Sequence, residues 1–131
     1  MSSRSEESSL AEQLSDNRLL NVEICDDVCV IRFIEPLLRD SERQRGVKRA
    51  FSRLARKYSR FVIDLSVVEY CSSLVLGTLV LLQTTADEKG GSAHVCGIRG
   101  QVRELFAVTA VETLFAYFDS EAAAIDAFRD A

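Results

Sequence analysis

Five consecutive residues, Phe61-Val62-Ile63-Asp64-Leu65, constrain this chain more than any other stretch. The run is almost wholly apolar and β-branched at its centre, and no alternation with polar residues offers one face to water. Such a run is a strand covered on both sides, as in parallel sheets with helices above and below. Its flanks supply the helices. Upstream, Val47, Ala50, Phe51, Leu54, Ala55 and Tyr58 follow the i, i+3, i+4, i+7 stripe of an amphipathic helix. Downstream, Ser72-Ser73 precede a largely apolar segment from Leu74 to Glu88 that ends in Lys89-Gly90-Gly91, so a hydroxyl N-cap and a glycine C-cap frame a second helix.

The remaining pattern extends the same plan. Val22 and Ile24, then Val28 and Val30, alternate with polar residues around Asp26-Asp27, as a β-hairpin does, and Glu35-Pro36 end its second strand because proline has no N–H for a ladder. Residues 93–97 read as a strand and 101–109 as a helix with Val102, Leu105 and Phe106 on one side. A short strand over 115–118 is followed by Asp119-Ser120-Glu121, a cap for a last helix through Phe128. Alternation of strand and helix predicts an α/β fold. The expected sheet is mixed and mostly parallel, of about five strands, with the N-terminal β-hairpin as its antiparallel edge and about four helices packed on it.

With 131 residues, 47% apolar and a single proline, the chain suits one core that needs no metal or disulfide staple. Residues 1–18 read as a polar, Ser-rich extension in which Ser9-Leu10-Ala11-Glu12 fits a capping box, and 19–131 as the folded domain. No run approaches the ~18 apolar residues of a membrane span, and no apolar block near the start resembles a secretory leader. The expectation is a cytoplasmic protein whose Cys25, Cys29, Cys71 and Cys96 stay free.

Charge is unevenly spread. The net is −4, yet residues 39–60 carry nine Lys or Arg against Asp40 and Glu42, a local excess of +7. That segment is either a solvated helix face or a surface that steers an acidic partner. Direct nucleic-acid binding is not expected, because its only aromatics, Phe51 and Tyr58, are needed on the apolar stripe.

The inventory for catalysis is thin. His94 is the sole histidine and falls in a strand, where a structural role is expected. Cys25 and Cys29 flank the hairpin turn without a second ligand pair, so no metal site is read there. Cys71 precedes a helix N-terminus, where a thiolate could form, but no arginine follows within a few residues to hold a phosphate, and it reads as a core cysteine. Ser73 lacks a nucleophile elbow, and no phosphate-binding glycine loop occurs. The chain reads as a non-enzyme that needs no cofactor. What remains is a pair of hydroxyls at a strand-to-helix turn, the part of an α/β fold where ligands and partners are met, and capping needs only one of them.

At these residues the sequence resembles the STAS family, the domain shared by anti-sigma factor antagonists and sulfate transporter tails. The family pattern is an apolar strand ending in Asp, a short linker, an aromatic, an apolar residue, Asp-Ser or Ser-Ser, small residues, and Leu-Gly before an apolar helix. Here it runs from Phe61 through Asp64, Tyr70-Cys71-Ser72-Ser73-Leu74-Val75 and Leu76-Gly77 to Leu79. Gly90-Gly91 before a strand, Val102 to Phe106, and Leu114 to Phe118 are similar to the family's closing elements, so the resemblance covers about 19–129. It departs at Ser72, a position often held by Asp, and at Val75, commonly Gly. The resemblance implies that Ser73 is the serine a cognate kinase phosphorylates. It also implies that Ser72, Ser73, Leu74, Val75 and Leu76 form the partner-binding turn. The implied function is an anti-sigma factor antagonist that binds a serine-kinase anti-sigma factor and releases a sigma factor until Ser73 is phosphorylated. It leaves a homodimer open. Alternatives are a constitutive docking subunit of a transporter ATPase or signalling assembly, and a small-ligand binder using the apolar turn at Leu74 and Val75.

Overall fold

Strand β4, Arg60–Asp64, lies at the centre of a five-stranded sheet, and Phe61, Val62 and Ile63 on it have no exposed surface. The computed structural model describes residues 20–39 and 42–129; the Ser9–Glu12 capping box and the extension over 1–18 lie outside them. Burying each such side chain stabilises the fold by about 1.5–3 kcal/mol, so β4 is where the two faces of the molecule are joined. Strands β1, Leu20–Cys25, and β2, Val28–Phe33, form the hairpin and pair antiparallel. Asp26 takes the left-handed conformation at its turn, φ 57°, which a short polar side chain tolerates. All other pairs in the sheet are parallel: β2 with β4, β4 with β6 (Ser92–Cys96), and β6 with β7 (Ala116–Phe118). The mostly parallel sheet with an antiparallel hairpin edge and four helices is the architecture expected from the sequence.

Alternation along each strand sorts the core into two layers. Cys29, Ile31, Phe61, Ile63, Ala93 and Val95 point to one face, where they meet helices α1 (Glu42–Lys57), α2 (Ser73–Glu88) and α3 (Gly100–Val108). Val28, Val30, Val62 and Cys96 point to the other, covered by Ala124 and Phe128 of α4, Glu121–Arg129. The basic residues Arg45, Lys48, Arg49, Arg53, Arg56 and Lys57 stay exposed while Val47, Phe51 and Leu54 are buried, as the stripe requires. Helix α1 begins five residues before the first apolar position at Val47; its leading turn is polar and carries no periodic signal. A 3-10 turn over Glu112–Leu114 leads into β7.

The sequence pattern missed a second, two-stranded sheet. Strand β3, Leu37–Leu38, pairs parallel with β5, Tyr70–Cys71. Two-residue strands are too short for alternation to reveal.

Two glycines separate close approach from helix propensity. At Gly91, where the chain enters β6, an added Cβ would fall 1.7 Å from the Ser59 carbonyl oxygen, the acceptor of the Ser92 N–H. At Gly77, inside α2, an added Cβ meets nothing within 4 Å. Gly91→Ala should therefore destabilise the domain by about 1–3 kcal/mol through backbone displacement. Gly77→Ala should stabilise it by roughly 0.5–1 kcal/mol by removing glycine from a helix interior. Urea unfolding of the two variants reads both signs.

Candidate functional site

The turn that carries Ser72 and Ser73 is built from the end of β4 outward. Asp64 closes β4 and its Oδ1 accepts the Ser66 N–H at 2.9 Å, turning the chain back. Burial acts to raise the Asp64 pKa, but contact with the Glu121 carboxyl, hydrogen bonding with Ser66 and the Arg32 charge outweigh it and hold the carboxyl below its ordinary range. Arg32 forks onto Glu121, with Nε to Oε2 at 2.7 Å and Nη2 to Oε1 at 2.8 Å, so the acid cluster has its counter-ion. The Leu65 N–H donates to the Cys96 carbonyl at 3.0 Å and Arg99 Nε donates to the Ser66 carbonyl at 3.2 Å, which ties the linker to the end of β6.

Beyond the linker the backbone is held from both sides. On one side the Tyr70 N–H donates to the Pro36 carbonyl at 3.1 Å and the Ser72 N–H to the Leu38 carbonyl at 2.9 Å. On the other, the Gln101 side chain behaves like a neighbouring strand. Its Oε1 accepts the Cys71 N–H at 3.0 Å and its Nε2 donates to the Cys71 carbonyl at 3.3 Å. Sequence reasoning missed Gln101, and its polar type at the start of α3 carried no signal of a partner 30 residues away.

The two hydroxyls then divide. Ser72 is the N-cap of α2: it is 8% exposed, extended at φ −76° and ψ 162°, and its Oγ accepts the Val75 N–H at 3.3 Å. Ser73 is the first helical residue, exposed, and its hydroxyl makes no hydrogen bond to any described residue. Leu74 beside it is 55% exposed. Val75 and Leu76 do not join that surface. They are buried and hold α2 to the sheet, so of the five turn residues singled out from sequence only Ser73 and Leu74 turn outward. Tyr70 and Leu37, opposite each other in the β3–β5 pair, add exposed apolar area on the strand leading into the turn.

The other residues weighed for chemistry are structural. Cys71 is buried and burial pushes its thiol up to about 12, opposite to the activated thiolate that a helix N-terminus could favour. Cys96 is likewise raised to about 12 by burial and by the Asp64 and Glu121 charges. His94 stacks on Phe128 with ring centroids 3.8 Å apart, and its Nδ1 lies 2.9 Å from the Ala124 carbonyl. Burial lowers its pKa, partly opposed by that hydrogen bond. What this site offers is an exposed serine hydroxyl on a backbone hydrogen-bonded from both sides.

The STAS domain family model matches residues 20–124, and the chain belongs to that family. Solved structures share its fold. An anti-sigma-factor antagonist (STAS) domain protein from Planctomyces limnophilus is 23% identical with a TM-score of 0.74, the match covering 82% of this chain and 95% of that one. An anti-sigma factor antagonist from Mycobacterium paratuberculosis is 24% identical with a TM-score of 0.71, covering 84% and 92%. The Bacillus cell fate determinant SpoIIAA in its phosphorylated form is 14% identical with a TM-score of 0.67, covering 83% and 98%. No curated protein matches the chain. Among the described residues no helix is long and apolar enough to cross a membrane.

One expectation follows from the backbone mount of the serine turn and one from the buried histidine. Gln101→Ala leaves the Cys71 backbone groups without partners on one side and should cost about 1–3 kcal/mol, with faster amide exchange at Cys71 as the local readout. His94 is held below 6.5, so as pH falls through about 6.5 the unfolded chain takes a proton that the folded one refuses, and stability falls. Unfolding free energy should drop between about pH 7.5 and 5.5, and His94→Gln should flatten that slope.

Proposed function

We propose that this protein is an anti-sigma factor antagonist. In the unmodified state it binds a serine-kinase anti-sigma factor and frees a sigma factor, and phosphorylation of Ser73 ends the contact. The observation that carries this reading is the division between the two serines: Ser72 alone satisfies the helix cap, and Ser73 presents a free, exposed hydroxyl beside exposed Leu74. Membership of the STAS family and the shared fold with anti-sigma factor antagonists, among them SpoIIAA, solved in both unphosphorylated and phosphorylated forms, support it.

Physical chemistry supplies the switch. The Ser73 and Leu74 N–H groups stand in the first turn of α2, where backbone donors lack helical partners and the helix dipole favours negative charge, so a phosphoryl group is tolerated without refolding. It adds about −1.5 to −2 charge at neutral pH. Docking a partner over that charge requires its desolvation, and a penalty of only ~3 kcal/mol weakens binding more than a hundredfold. The domain acts as phosphoryl acceptor and binding surface, and the kinase supplies the catalysis.

Incubating the protein with the candidate kinase and ATP, then mapping phosphate by mass spectrometry, should place it on Ser73. Ser73→Ala should bind the kinase and resist modification. Ser73→Asp should lose affinity by roughly a hundredfold with an unchanged melting temperature. An unmodified Ser73 together with tight capture of a non-kinase partner selects the constitutive docking subunit instead, and unfolding of Ser73→Asp makes the residue structural.

A further inference from the structure

Beside Ser73 a trough runs between α1 and α2. It comprises two joined hollows of about 400 and 330 Å3 that share Lys48, Thr78 and Leu81. Arg45 and Lys48 face Ser73, Leu74 and Gly77 in the first, and Arg56 faces Thr85 and Lys89 in the second, so the two helices lie side by side in the same sense. Lys89 Nζ donates to the Ala55 carbonyl and closes the far end.

The floor is apolar and incompletely covered. Phe51, Ala55 and Leu82 are buried beneath it, while Leu74 and Leu81 on α2 remain 55% and 51% exposed. Leu74, Thr78, Leu81 and Thr85 are spaced as one helical face, and α2 over its 16 residues is ~24 Å long. One wall is cationic: Arg45, Lys48 and Arg56 are exposed on α1, with Lys89 at the end. Among the described residues no acidic side chain lines either hollow, although the chain as a whole has a net charge of −4. Three of the nine basic residues between positions 39 and 60 thereby line one side of an apolar trough.

We propose that this trough is a docking groove for an acidic amphipathic helix of the protein partner, its apolar side on Leu74, Thr78 and Leu81 and its carboxylates on Arg45, Lys48 and Arg56. A helix fits because the trough runs between two helices laid side by side, and because its exposed apolar residues on α2 repeat with helical spacing. Charge complementarity selects the acidic sequence. The groove rests on the proposed function for its partner being the anti-sigma factor, and it links the two sites. A phosphoryl group on Ser73 shares the first hollow with Arg45 and Lys48 and competes with the partner's carboxylates for them.

Gly77 lies exposed in the groove with open space at its Cβ, so a larger side chain there fills the groove without disturbing the core. The probe is a labelled peptide of about 16 residues with leucines at helical i, i+3, i+7 spacing and glutamates on both flanks, titrated into the full chain. Expected are saturable binding, amide shifts confined to α1 and α2 around Thr78 and Leu81, and weakening with added salt. Gly77→Glu and Lys48→Glu, both checked for an unchanged fold, should each lower affinity roughly tenfold or more. The same peptide with lysines for glutamates should not bind.

Equal binding of the lysine peptide, undiminished binding by both variants, or shifts elsewhere overturns the groove. Occupation of the trough by decanoate or anionic vesicles while the acidic peptide fails to bind also overturns it. The two proposals fail separately. If the kinase binds and Ser73→Asp releases it while Gly77→Glu leaves its affinity unchanged, the groove alone is wrong; if the peptide seats as described but the kinase neither binds nor modifies the chain, the proposed function alone is wrong.

Discussion

Burial of β4 on both faces is the constraint on which the rest of the molecule depends. A strand with no solvent face has to be covered twice, and the chain meets that demand unequally. Three helices lie over Phe61 and Ile63, while α4 alone, through Ala124 and Phe128, lies over the Val62 side. Unequal cover leaves space on the thinner face for polar residues to be paired rather than excluded. There Arg32, Asp64 and Glu121 gather at the carboxyl end of the sheet, and His94 is held neutral between its backbone acceptor and Phe128.

The same end of the sheet sets up the serine turn. A hydroxyl at the start of a helix is ordinarily consumed by the cap. Here the linker is turned by Asp64, the β3–β5 pair fixes one side of Cys71 and Ser72, and the Gln101 amide fixes the other. Held in this way, Ser72 has the extended backbone that a cap needs, and Ser73 is forced into the first helical position with its side chain outward. A mount held from both sides matters for the proposed switch, which consists of one added charge. If the turn could relax, part of the repulsion would dissipate in local motion rather than appear as lost affinity.

Charge distribution gives this scaffold a direction. In the proposed docking, the cationic wall beside the exposed Ser73 hydroxyl presents complementary potential to an acidic partner, which favours its approach from that side. The apolar floor beside that wall is left open at Leu74 and Leu81, the area that the proposed docking covers.

Local pattern alone determined much of this protein. The hairpin with its alternating first strand, the α1 stripe, the two-sided apolar run of β4, and the hydroxyl and glycine caps of α2 are short-range consequences of strand and helix periodicity. They could be read before any coordinates, as could the order of motifs that resembles the STAS family. Strand β2, expected to alternate, is instead buried on both faces because β4 pairs beside it. The tertiary structure decided which serine caps and which is exposed, because that follows from how β3 and Gln101 grip Cys71, contacts about 30 residues apart in sequence. It also decided that Val75 and Leu76 turn inward, since the face of an almost uniformly apolar helix is chosen by what it packs against rather than by its own composition. The placing of Arg45, Lys48 and Arg56 as a wall beside α2 was decided there too, because charge in a sequence has a position along the chain but acquires a neighbour across a groove only when two helices are laid side by side.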